Sequence, residues 1–106
     1  MTKVVFYGNP SLLGFCVEGH STADENDDMG RLVCSAVSSA AYMAANTITE
    51  IIGDEAEIAV SDAKMELMVK SPSDKTDAVL NGFKLHMEQL AAQYKKNIKI
   101  SSEVHL

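Results

Sequence analysis

The chain of 106 residues carries a net charge of −6 and 46% hydrophobic residues, enough apolar material for one core without disulfide or metal staples. Its composition excludes collagen-like and low-complexity classes, and no apolar run approaches the roughly 20 residues of a membrane span. The acidic balance argues against direct nucleic-acid binding through phosphates.

The charge is unevenly placed: residues 4–30 hold Glu18, Asp24, Glu25, Asp27 and Asp28 with no Lys or Arg, whereas acids and bases nearly balance elsewhere. One domain spanning residues 1–106 is expected. The opening MTKVVFYGNP shows no apolar stretch of signal-peptide type, so a cytoplasmic location with Cys16 and Cys34 reduced is expected.

In chain order, Lys3–Tyr7 and Leu12–Glu18 read as a hairpin around Gly8-Asn9-Pro10-Ser11, with Leu13, Phe15 and Val17 on one face and Cys16 on the less buried one. Residues 19–28 are polar and read as a loop, with Asp27 or Asp28 capping the following helix. From Met29, the spacing of Val33, Val37, Ala40, Ala44, Ile48 and Ile51 predicts a long helix ended by Gly53. Its middle, Ser35–Asn46, is dominated by small residues, which suits close packing on a sheet or a dimer contact.

Ala56–Val60 and Lys64–Val69 form a second predicted hairpin around Ser61-Asp62-Ala63. Ser71-Pro72-Ser73-Asp74 reads as a helix start with Ser71 as the cap. Val79, Phe83, Met87, Leu90 and Tyr94 supply that helix's apolar stripe, which ends near Lys95-Lys96. Ile98, Ile100, Ser102, Val104 and Leu106 share one parity and read as a closing strand. The order β-β-α-β-β-α-β predicts an α+β domain of two layers, two helices packed on one mostly antiparallel sheet.

Chemistry needs a nucleophile and a proton carrier. Cys34 lies in the first two turns of the long helix, where unpaired amides and the helix dipole favour an anion such as a thiolate. The bland alternative is a free Cys that only packs. His20, at a strand end after Gly19, is placed to act as a general base, whereas His86 reads as a helix-face residue and His105 as an inert tail residue. Ser38 lies one turn after Cys34 on the same helix face and is either a hydrogen-bond donor to the site or a small packing residue. A Cys16/His20/Cys34 zinc site lacks a suitable spacing and a fourth ligand, so no metal or cofactor is expected.

Gly19-His20-Ser21, then Leu32-Val33-Cys34-Ser35-Ala36-Val37-Ser38, then Ala45-Asn46-Thr47-Ile48, resemble the ribosomal-processing cysteine protease family Prp (YsxB-like) along essentially the whole chain. The resemblance implies a homodimeric Cys–His thiol protease that removes a short N-terminal extension from a basic large-subunit ribosomal protein, number 27, during ribosome maturation. Cys34 maps onto the nucleophile, His20 onto its base and Ser38 onto the family's Ser four residues later.

Gly19 and residues up to Asp28 correspond to the family's loop between His and Cys. Asp24, Glu25 and Asp27 would complement a basic segment of the substrate. Arg31 stands where the family usually has Asp, a role that Asp28 or Asp27 would take over. Two other readings are a non-catalytic binder of a basic ribosomal protein tail and a small dimeric structural module.

Overall fold

The computed structural model describes residues 1–19 and 28–104. Five strands and two helices follow the expected order: β1 (Thr2–Tyr7), β2 (Gly14–Gly19), α1 (Asp28–Asn46), a π-helical continuation (Thr47–Ile52), β3 (Ala56–Ser61), β4 (Lys64–Val69), α2 (Asp74–Gln93) and β5 (Ile98–Glu103). The strands form one sheet in the order β3-β4-β2-β1-β5, antiparallel throughout except for the parallel pairing of β1 with β5. Both helices contribute to the core on one side of the sheet.

Strand alternation sorts the residues as expected. Val4, Phe6, Phe15, Val17, Met65, Leu67 and Val69 point into the core and meet Val33, Val37, Ala41, Ala44 and Ala45 of α1 and Leu80, Phe83 and Met87 of α2. Phe83 packs at 4.4 Å from the Phe15 ring centroid and 5.8 Å from that of Phe6, and so joins α2 to both central strands. The small residues of α1 that face the sheet, Ala41, Ala44 and Ala45, are fully packed, so the helix's inward small face belongs to the core.

Several expectations change. Ile51 is 81% exposed whereas Ile48 is buried. The helix widens over its last turn, where the Gly53 amide bonds to the Ile48 carbonyl five residues back at 2.9 Å, and a wider turn no longer brings position i+3 under position i. Gly53 then ends the segment at φ 86°, in the left-handed region that glycine occupies without penalty.

The cap of α2 is Ser73 rather than Ser71, and its side chain accepts from the Thr76 amide. The choice is tertiary: the Asp54 carboxylate accepts from both the amide of Ser73, at 2.9 Å, and its hydroxyl, at 2.8 Å, pinning that residue at the helix boundary. The helix stops at Gln93 because Tyr94 leaves helical geometry at φ −122° and ψ 59°, and β5 stops at Glu103, with Val104 already outside it.

Cys16, expected on the less buried face, does lie on the face away from the helices yet is only 6% exposed. It stands opposite Val5 and Glu66 on the adjoining strands, with Tyr7 within hydrogen-bonding reach. Burial pushes the Cys16 thiol up from its ordinary range. Burial and the hydrogen bond that the Tyr7 hydroxyl donates to Glu66 Oε2 at 3.0 Å also push the Tyr7 phenol up.

Candidate active site

Cys34 sits in the second turn of α1 on the side turned toward the end of β2, and it is half-buried between two core residues, Val33 and Val37. The sulfur rests directly on the backbone of Gly19: a Cβ on that glycine would lie 2.6 Å from Cys34 Sγ. Gly19 is therefore needed for its lack of a side chain, because any larger residue would push the thiol out of place. The same glycine donates its amide to the Ala63 carbonyl at 2.8 Å. The end of β2, the turn between β3 and β4 and the thiol of α1 thus converge.

Around this point a cavity of about 120 Å³ opens, lined by Cys34, Ser38 and Tyr42 from α1, Gly19 from β2, and Val60 and Lys64 from the second hairpin. Cys34, Ser38 and Tyr42 follow one another at intervals of four, so successive helical turns present them to the same cavity. Ser38 is half-buried there, beside the thiol along the helix. Of the predicted site residues, the fold thus brings Cys34, Gly19 and Ser38 together. His20, Asp24, Glu25 and Asp27 lie outside the described residues, as does His105.

Asp28 is the first residue of α1 rather than the residue before it. Its exposed carboxylate accepts a 2.7 Å hydrogen bond from the Arg31 guanidinium. Opposite charges one turn apart at the helix start thus engage each other on the surface. The first four amides of the helix belong to residues 28–31, so an oxyanion held there would sit about one turn, roughly 5 Å along the axis, from the Cys34 position.

Cys16 and Cys34 are both free and occupy opposite sides of the sheet, which leaves Cys34 as the thiol at the cavity. Val60 and Lys64 carry no mark in the sequence that would assign them to the site and reach it because the hairpin turn docks on Gly19, whereas Tyr42 continues the helical spacing of Cys34 and Ser38 and was missed. His86 is exposed on α2, along an apolar groove between the helices shared with Met43 and Val79.

The chain resembles several solved structures. It superposes on the essential ribosomal processing protease Prp from S. aureus in complex with a covalently linked product peptide, with a TM-score of 0.84 and 17% identity over 97% of this chain and 100% of that one. SMU.848 from Streptococcus mutans matches with a TM-score of 0.84 and 18% identity over 99% of each chain. The S. aureus protease in complex with a substrate peptide matches with a TM-score of 0.80 and 17% identity over 97% of this chain and 100% of that one. These likenesses establish a shared fold. No curated protein matches the sequence. The family model described as cysteine protease Prp matches residues 1–99, and the chain belongs to that family.

Proposed function

We propose that this protein is a ribosomal-processing cysteine endopeptidase that removes the N-terminal extension of large-subunit ribosomal protein number 27, with Cys34 as nucleophile and His20 as its base. The observation that carries the reading is the seating of the Cys34 sulfur on Gly19 at the mouth of a cavity. His20 follows Gly19 directly in the sequence, which supports pairing it with the thiol.

In the reaction, Cys34 Sγ forms a bond to the peptide carbonyl carbon, and the C–N bond breaks as His20 gives its proton to the leaving amine. Water, deprotonated by His20, then releases the acyl group from sulfur. Ser38 donates a hydrogen bond to the thiolate or the substrate. Asp24, Glu25 and Asp27 attract the basic segment of the substrate, and Asp28 holds Arg31 at the helix start. The enzyme works in the cytoplasm as a homodimer. The exposed Met29, Leu32 and Met43 of α1 supply apolar contact surface for the second copy.

The test is cleavage of a peptide spanning the extension junction. Cys34→Ala abolishes it and Cys16→Ala retains it, with the product masses read by mass spectrometry. Residual trimming by Cys34→Ala would remove the assignment.

A further inference from the structure

A second cavity, of about 300 Å³, opens at the end of the sheet remote from Cys34. The thiol rests on Gly19, which is paired with Thr2 at the start of β1. This cavity lies past Tyr7 at the other end of that strand, a strand length of about 17 Å away. The turn after β1, the middle of α2 and the end of β5 enclose it. Their approach is fixed by the backbone, because Gly8, at φ 104°, donates its amide to the Glu103 carbonyl at 3.0 Å.

The charge facing this space is of one sign. Lys84 is half-buried on α2 and lines the cavity, with its Nζ 6.0 Å from the Phe6 ring centroid. Among the described residues no carboxylate comes within 4.0 Å of that ammonium, not even that of Glu88 one helical turn on. Glu103 borders the same cavity, but strand alternation turns its side chain to the other face of the sheet, where its charge acts on Tyr7. Ser102, paired with core residue Phe6, faces the helix side and adds a hydroxyl donor. The wall supplied by the β1–β2 turn is apolar at Pro10 and Leu12.

We propose that this cavity is a second ligand site, separate from the thiol, that takes a small aliphatic carboxylate. The carboxylate accepts from Lys84 Nζ and the Ser102 hydroxyl, and the alkyl part lies against Pro10 and Leu12. The two-sided lining selects this class over inorganic phosphate, which presents oxygens in every direction and would bury some of them against the apolar wall. The volume lies at the lower end of the range for ligand cavities, which suits a ligand of a few carbon atoms.

The test uses isovalerate, its neutral isostere isovaleramide and inorganic phosphate as probes, titrated at constant ionic strength into the ¹⁵N-labelled protein. Isovalerate is expected to shift the amides of Gly8, Leu12 and Lys84 and to bind roughly ten-fold or more tightly than isovaleramide, since a hydrogen bond to a charged group is worth about that much. Lys84→Gln erases the preference and Lys84→Arg restores most of it, with thermal melts verifying that both variants fold. The proposal is overturned if isovaleramide binds within about two-fold of isovalerate, or if Lys84→Gln keeps the preference. Phosphate binding as tightly as isovalerate also overturns it, because the apolar wall then selects nothing.

Discussion

The contact between Gly19 and Cys34 turns a glycine into a quantitative probe of the site. In Gly19→Ala the added methyl would lie 2.6 Å from Cys34 Sγ, whereas its next neighbours, Thr2 Oγ1 and Cys34 Cβ, stand at 3.8 and 3.9 Å. An unstrained contact needs about 3.6 Å, so the sulfur must retreat by roughly 1 Å. No left-handed backbone conformation is involved at Gly19. The relief comes from rotation of the Cys34 side chain, at a cost of order 0.5–1.5 kcal/mol. A 1 Å misplacement of a reacting atom lowers the rate by about 10²-fold.

The assay pairs kcat on the junction peptide with a thermal melt, and repeats the melt in the Cys34→Ala background. The variant is expected to fold, to melt slightly lower than the parent and to lose about two decades in kcat. In the Cys34→Ala background the same substitution costs almost no stability, because the sulfur is gone. A folded Gly19→Ala enzyme with kcat within about two-fold of the parent would refute the idea that this glycine sets the thiol position.

Three further outcomes follow from the packing. Because burial holds the proton on folded Cys16 to higher pH than on the unfolded chain, its contribution is intact below about pH 8.5 and is lost as pH rises through the folded value. Urea stability measured from pH 7.5 to 10 therefore declines in the parent and declines less in Cys16→Ala. Gly53→Ala meets no neighbouring atom but must hold φ 86°, so it costs about 1–2 kcal/mol in chemical denaturation with kcat unchanged. Asp54→Ala removes both acceptor contacts to Ser73, which lowers the urea midpoint and weakens amide exchange protection in the first turn of α2.

Much of the architecture was legible because alternation and helical spacing are imposed by the same core that the structure displays. Phe15 and Val17 against Cys16, and Val33 against Val37, needed only their periods. The errors arose where a distant group intervened. Ser73 displaced Ser71 as the cap because Asp54 reaches across from the end of the π-helical turn, and Ile51 left the core because that turn is wider than an α-helical one. Cys34 and Ser38 were readable as neighbours, being one turn apart on one helix. Tyr42 lies one further turn along the same helix and was equally readable, whereas Val60 and Lys64 were not, since the approach of the hairpin rests on the backbone contact between Gly19 and Ala63, and backbone contacts leave little trace in side-chain pattern.

The parallel pairing of β1 with β5 sets Thr2 beside Ile98 and Tyr7 beside Glu103. One edge of β1 thus meets a partner from far along the chain, while its other edge pairs with β2, only a turn away. On an elongating ribosome the β1–β2 hairpin emerges early with one flank unfilled, and α1 can dock before the sheet is complete. Full assembly of the sheet consequently depends on closing the long stretch of chain between β1 and β5. The Gly19 seat under Cys34 draws instead on Thr2 of β1 and Ala63 of the β3–β4 turn, so every strand that the seat uses precedes β5 in the chain.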